Sequence, residues 1–504
     1  MTDAARAFRR WLDDLPEEER RALARGYAEA ARAAGVFVVK ADESEVAIPP
    51  LLTPAAIPRA KLAEVSADSR WILSGLARLT AWLMEDPAEE PLRRRLFGSF
   101  LPLEREGLER TWRLAAELAT ARVDFLVDAE GRHRALEVNA TIPAMQGYSD
   151  CVAEAFLQKV ARARGLGQAR ADALVAKNGR NTDELLASLL AHHLRLGGAR
   201  ASELTIAIIA RRGDAQRGEL EHYARRWSAL GHHALIAAPD ELRREGDRAL
   251  VAGRPIDLLY RHIFARRLDP DGEFAKMCLA ADRFHVLNPI ASHLEVKGML
   301  GLLSQAAAPD GDRFAHLIGL PDEERAAVER AVPWTRILAS GPASGPGGER
   351  ISELVGWVRE NGARLVLKRS WDYGGKSVFL GAELDSPSSQ ERLNNVIGRA
   401  DRREPLDWNA LCDFALKDGD AWVVQELIAA EKNRELRVEA GRPVERALYV
   451  DLSAYTNLGA APAPSGGAVR ASESRIVNIL GGGGLQPLIR DEVLASLMSD
   501  APGV

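Results

Sequence analysis

The chain is 504 residues long, enough for two to four domains with substantial cores. With 46% hydrophobic and 28% charged residues it has the composition of a soluble globular protein, and a formal net charge of −5 argues against a nucleic-acid backbone as its main partner. An N-terminus without a signal-peptide core, no apolar run of about 18 residues, and three scattered cysteines (Cys151, Cys278 and Cys412) without disulfide or zinc spacing predict a cytoplasmic protein that does not engage a membrane.

Residues 3 to about 120 are dominated by Ala, Leu, Arg and Glu recurring with a 3.6-residue period, which predicts several amphipathic helices. Asp13 and Asp14, followed by Pro16 and three glutamates, mark a helix start. The period changes over 122–143. Two apolar-rich runs, 123–127 and 135–138, flank Asp128-Ala129-Glu130-Gly131, which reads as a hairpin turn. Alternation along a strand puts Arg122 and Asp124 on one face, and likewise Glu137 and Asn139, so that closing the hairpin brings the two pairs together. Two carboxylates, an amide oxygen and a guanidinium then converge. This set suits Mg²⁺, which takes oxygen ligands from one or two carboxylates plus substrate phosphates, with Arg122 left to stabilise developing negative charge. Alternation alone favours the plainer reading, an edge hairpin with a solvated polar face.

Residues 149–165 read as a further helix. From about residue 201 the pattern becomes strand (SELTIAIIA), helix (217–230), strand (HHALIAAP), helix, and a run ending in IDLLYRHI, the spacing of a small parallel α/β unit. It carries no G-x-G-x-x-G, so a dinucleotide role has no support. The pairs His192-His193 and His232-His233 have no acidic or cysteine partner spaced for metal and read as structural. Residues 339–348, rich in Gly, Ser and Pro, predict a mobile surface loop.

Lys297 opens a helix, where a lone lysine is by itself a solvated group. Residues 365–370 read as a strand with Lys368 pointing opposite to Leu367, and 377–380 as its return partner. Between them Trp371-Asp372-Tyr373-Gly374-Gly375-Lys376 forms a turn whose glycines permit positive φ and whose N–H groups can make an anion-binding concavity; an ordinary Gly-Gly hairpin has the same letters. Trp422 to Val424 is a strand ending in Gln425-Glu426-Leu427. Arg470 follows a Gly-Gly pair, and 481–484 is a glycine run; a tight turn or a close approach to ligand suits either.

R-x-D and E-x-N near the start, then a helix lysine, K-x(5)-GGK and Gln-Glu-Leu, resemble in this order the circularly permuted ATP-grasp proteins, of which glutathionylspermidine synthase is the best-known type. The resemblance implies an α/β (α+β) fold: a helical region plus the Mg-binding half of the grasp over 1–165, a small parallel α/β domain over 166–290, and a nucleotide-binding half with a Gly-rich lid over 291–504. It implies ATP and Mg²⁺ as cofactors. Asp124, Glu137 and Asn139 would be metal ligands, and Arg122, Lys368 and Arg470 catalytic. Lys297, Lys368, Gly374, Gly375 and Lys376 would hold phosphates, and Gln425, Glu426 and Leu427 would read adenine. Tyr260 and Arg261 would contact substrate or simply pack. The activity implied is an ATP-dependent ligase that activates a carboxylate as an acyl-phosphate and joins it to an amine, with small amino-acid or peptide-like substrates. The alternatives are a phosphotransferase on the same scaffold and a catalytically silent ATP-binding scaffold protein. Homodimers are common among such relatives, and no amidase segment accompanies this chain.

Overall fold

The computed structural model describes residues 2–372, 374–398, 404–461, 466–479 and 481–499, so Tyr373 of the glycine turn lies outside the described residues. The fold mixes helices and strands throughout. The helical period of the first hundred residues gives Asp3–Asp14, Glu17–Ala34, Arg59–Glu85, Glu90–Phe97 and Pro102–Leu118. The second of these starts directly after Pro16, with Glu17, Glu18 and Glu19 in its first turn, where negative charge complements the exposed N–H groups of a helix start.

Three sheets organise the remainder. The largest has six antiparallel strands. Its order is Gly484–Gln486, Gly467–Ser472, Arg442–Asn457, Thr120–Val127 and His133–Asn139, with Asn433–Glu439 also paired to Arg442–Asn457. Segments far apart in the sequence thus build one sheet. Alternation assigns its faces. Val123, Phe125, Leu452 and Ala454 enter a core with Ile72, Leu76 and Leu79 of helix Arg59–Glu85 and Met299 and Leu303 of helix Lys297–Ala307; burying each large side chain contributes about 1.5–3 kcal/mol. Arg122, Asp124, Asp451 and Ser453 project from the opposite face.

The second sheet is also antiparallel, in the order Thr335–Ile337, Trp422–Glu426, Leu365–Arg369, Val378–Leu380. Leu365, Leu367, Phe379, Trp422 and Val424 pack with Val358 and Leu411 of two covering helices. Val366, Lys368, Val378, Leu380 and Gln425 are left on the other face.

The third sheet is parallel, in the order Val286–Leu287, Leu258–Arg261, Thr205–Ile209, His233–Ala237. The helix expected after its second strand does not form. Leu242–Glu245, Arg248–Val251 and Arg254–Ile256 make an antiparallel meander instead. Gly246 sits at φ +58°, and Ala252-Gly253 at +50° and +76°, so tight hairpin turns override the helical period. The expected loop at 339–348 also acquires order: Ala343–Ser344 pairs with Arg350–Ile351, and the Trp334 indole N–H donates to the Ser344 carbonyl at 2.7 Å. All three cysteines are buried and unbridged. Among the described residues no helix is long and apolar enough to cross a membrane.

Candidate functional site

The two antiparallel sheets meet across a cleft. One wall carries Arg122, Asp124, Glu137, Asn139, Asp451 and Arg470, and the other Val366, Lys368, Val378, Leu380 and Gln425. Gly374, Gly375, Glu426 and Leu427 also line it. The hairpin register pairs Arg122 with Asn139 and Asp124 with Glu137, so the four polar residues share one patch as alternation requires. Immediately beyond Asp124 the register shifts, because Phe125 pairs with Ala135 and leaves Leu136 as an extra residue. This bulge turns the Leu136 carbonyl to the cleft, where it accepts from Lys368 Nζ at 3.2 Å.

Asp124 is the hub of the polar wall and is almost fully buried. Its carboxylate accepts from Arg122 Nε at 2.7 Å and a second Arg122 nitrogen at 3.0 Å, from Ser453 Oγ at 2.7 Å, from Asn139 Nδ2 at 3.2 Å and from Arg470 at 3.0 Å. Arg470 continues to Asp451, whose carboxylate accepts from its Nε at 3.1 Å. The result is an alternating row Arg122–Asp124–Arg470–Asp451. Burial opposes ionisation of Asp124, but the Arg122 and Arg470 guanidiniums overcome it and hold the carboxyl well below the usual range. Asp451 sits at the end of the row with one guanidinium and a neighbouring carboxylate, so burial prevails and pushes it up to about 6. Asn139 donates to Asp124 through its NH₂ group, which leaves its carbonyl oxygen as the acceptor. Glu137 is the carboxylate with room, its side chain 32% exposed and Lys297 Nζ 3.5 Å away.

On the facing wall Lys368 is buried, and its ammonium donates to Gln425 Oε1 at 2.6 Å. Burial lowers it to about 8, with Glu137 opposing and Lys297 reinforcing the shift. Gln425 in turn donates to Thr335 Oγ1 at 3.0 Å, so its side chain is taken up inside the wall. The next two N–H groups are paired as well: Glu426 donates to the Trp334 carbonyl and Leu427 to the Arg364 carbonyl, both at 2.9 Å. Of this segment, Glu426, Leu427 and Ile428 border the cleft.

The glycine turn meets its conformational requirement, with Gly374 at φ +72° and Gly375 at +73°. It is roofed by residues 476–478. Asn478 Nδ2 donates to the Gly374 carbonyl at 3.3 Å, and a Cβ on Gly375 would stand 2.6 Å from Ile476 Cγ2.

Other predicted residues sit outside the lining. Lys297 braces two elements, its Nζ 2.8 Å from the Asp372 carbonyl and 3.5 Å from Glu137, and Lys376 does not line the cleft. In the 481–484 run, a Cβ on Gly484 would lie 2.7 Å from the Pro49 carbonyl oxygen, so that glycine serves a backbone crossing. Tyr260 is a core residue, and Arg261 donates to the carbonyls of Asn288, Ile263 and Pro289 at 2.9, 2.7 and 2.8 Å. Both pack. Sequence reasoning missed Asp451, Ser453 and Arg475; the first two alternate with Leu452 and Ala454, a period-2 signal open to reading.

No family model and no curated protein sequence matches the chain. Among solved structures it is similar to a glutathione synthetase-like effector from Globodera pallida in its apo form, at 11% identity and a TM-score of 0.54, over 95% of this chain and 98% of that one. A structure provisionally described as a gamma-glutamylcysteine synthetase from Methylobacillus flagellatus KT aligns over 82% of this chain and 90% of its own, at 12% identity and a TM-score of 0.39, which carries no argument. At such identity the first likeness is one of fold alone.

Proposed function

We propose that the chain is an ATP-dependent ligase that activates a carboxylate as an acyl-phosphate and joins it to an amine. The observation that carries this reading is the gathering of Glu137, Asn139, Lys368, Gly374, Gly375 and Arg470, from distant parts of the sequence, onto one cleft with an apolar flank. A cleft that is charged along one wall and lined by Val366, Leu380, Leu427 and Ile428 elsewhere suits an amphipathic ligand such as a nucleotide. The sharing of one sheet by strands Thr120–Val127 and Arg442–Asn457 supports the permuted order of the grasp.

The donor set fits Mg²⁺, since Glu137 and the Asn139 carbonyl are oxygen donors beside the buried Asp124. Glu137 and Asn139 would hold the ion, with Asp124 completing the set on release from one of its arginines. The ion, when bound, neutralises phosphate charge. Lys368 would place its ammonium against phosphate oxygens, and the glycine turn would exclude water above them. Arg122 and Arg470 are already held by carboxylates, so their guanidiniums are preorganised for the negative charge that develops when a carboxylate attacks phosphorus and an amine attacks the acyl carbon. Positioning and electrostatics are what phosphoryl transfer asks of a protein, and no protein nucleophile is needed.

Calorimetry of Mg²⁺-dependent ATP binding to wild type and Lys368→Ala tests the nucleotide site: binding present in the first and lost in the second supports it. Release of ADP and orthophosphate that requires both a carboxylate and an amine then separates a ligase from a phosphotransferase. Wild type that binds no Mg-ATP removes the reading.

A further inference from the structure

The hairpin that carries the candidate metal ligands is closed at its open end by a residue from another part of the chain. Register pairs Arg122 with Asn139, so one further rung would pair Thr120 with Thr141. The neighbouring Ala119 gives its carbonyl to the Leu458 N–H on the other side, which turns both the N–H and the C=O of Thr120 toward the hairpin partner. The strands do not make that rung. The side-chain amide of Asn288 makes it instead: Oδ1 accepts from the Thr120 N–H at 3.2 Å, and Nδ2 donates to the Thr120 carbonyl at 3.0 Å. The same Nδ2 donates to the Ala140 carbonyl. Asn288 thus presents the donor and acceptor of a peptide group, and it is fully buried. The Thr141 N–H, displaced from the ladder, donates to the Glu295 carboxylate.

Asn288 and Glu295 belong to one segment, 288–298, which runs from the parallel-sheet strand Val286–Leu287 into helix Lys297–Ala307. Its start is fixed in the small parallel unit, where Arg261 donates to the Asn288 and Pro289 carbonyls at 2.9 and 2.8 Å. Its end grips the facing wall of the cleft. The Lys297 N–H donates to the Ser370 carbonyl at 2.8 Å, and the Gly298 N–H to Ser370 Oγ at 2.9 Å. Ser370 lies two residues beyond Lys368 on the chain. Lys297 Nζ spans the same gap, between the Asp372 carbonyl and Glu137. One short segment is therefore bonded to Thr120, Ala140 and Thr141, next to the metal ligands, and to Ser370, next to the phosphate-facing lysine. Neither Asn288 nor Glu295 lines the cleft, so each acts through the backbone it holds.

We propose that Asn288 and Glu295 are positioning residues for the magnesium site on which the ligase reading rests: by taking over the last rung of the hairpin they set Glu137 and Asn139 against Lys368. Groups that orient metal ligands from behind typically account for about 10–100-fold in metal affinity. ATP binding is measured by calorimetry as a function of free Mg²⁺ for wild type, Asn288→Ala, Glu295→Leu and Glu295→Gln, with denaturant unfolding of each protein. Ile206→Ala, which opens a cavity in the core beside the parallel sheet, is the control for lost stability alone. The Mg²⁺ needed for half-maximal ATP binding should rise about 10–100-fold in Asn288→Ala and Glu295→Leu. It should stay near wild type in Glu295→Gln, whose amide oxygen can still accept from Thr141, and in Ile206→Ala, although that variant unfolds more easily. Glutamine and leucine are both uncharged, so this pair isolates the hydrogen bond and decides the matter even where Asn288→Ala fails to fold. An unchanged Mg²⁺ requirement in folded Asn288→Ala or in Glu295→Leu overturns the proposal, as does a Glu295→Gln as deficient as Glu295→Leu or an equal rise in Ile206→Ala. Wild type that binds no ATP at any Mg²⁺ concentration removes the ligase reading and the positioning role together, whereas Mg²⁺-dependent binding that these variants leave untouched removes the positioning role alone.

Discussion

The two walls of the cleft are built on opposite principles. The wall around Asp124 is a closed electrostatic network in which both carboxylate oxygens are taken up by Arg122, Arg470, Asn139 and Ser453. The wall around Lys368 is sparse: one buried ammonium rests on Gln425 and Leu136 beside a turn of two left-handed glycines. The first wall keeps its shape without a ligand. The second holds its buried ammonium at a desolvation cost that an anion would relieve. Rigidity and adjustability within a single site are thus divided between sheets.

Removing the central charge of each wall should separate the two principles. Asp124→Ala leaves Arg122 and Arg470 buried with a carboxylate missing, and breaking a buried ionic network from one side typically costs about 3–5 kcal/mol; denaturant unfolding of the variant should show a loss of that size. Lys368→Met is expected to change stability by about 1 kcal/mol or less, since the ammonium's burial cost disappears along with its hydrogen bonds. Its turnover should nonetheless fall about 10²–10³-fold, the usual effect of deleting one charged donor. If the two variants lose stability equally, the contrast between the walls is mistaken.

A smaller effect is expected at the glycine turn. Gly375→Ala combines left-handed backbone strain of about 1–2 kcal/mol with a Cβ set 2.6 Å from Ile476 Cγ2. Adding Ile476→Ala removes the collision and keeps the strain. Mg-ATP affinity measured on the single and double variants should recover only in part, and full recovery would show that φ at Gly375 is irrelevant to the turn.

How far these walls were legible follows from the range of the interactions that build them. The hairpin of Arg122, Asp124, Glu137 and Asn139 is local, and period-2 alternation around a turn located it. The bulge at Leu136 is also local, but no letter in the run marks it. Asp451 belongs to the same row, yet it joins through pairing with strands distant in the chain, and only the assembled sheet shows that it faces Arg470. Gln425 illustrates the converse. The resemblance to the permuted ATP-grasp proteins makes it a candidate reader of adenine, while its side chain is taken by Lys368 and Thr335, partners that no spacing reveals. The helix expected near residue 242 does not form because left-handed turns at Gly246 and at Ala252-Gly253 fold the segment into hairpins, and three short strands pair in its place.

The smallest predicted effect concerns pH and depends on Lys368 alone. Burial lowers its ammonium to about 8 from an ordinary 10.5, so it is charged below about pH 8 and loses its proton above. Phosphate favours the charged form; Mg-ATP affinity should therefore be level below about pH 7 and fall by roughly tenfold at pH 9, where about a tenth of the lysine remains protonated. The contribution of Lys368 to stability should respond with the opposite sign. Between about 8 and 10.5 the unfolded chain keeps a proton that the folded chain has released, so the contribution of this group to stability rises with pH across that window. The three buried cysteines, whose thiols burial pushes up, contribute less to stability as pH rises through the upper part of the same window, so the Lys368 contribution is read as the difference between wild type and Lys368→Met. Lys368→Arg, charged throughout, should flatten the affinity profile; a wild-type affinity that stays level from pH 7 to 9 would place the ammonium away from the phosphates and return the adjustable wall to a purely structural role.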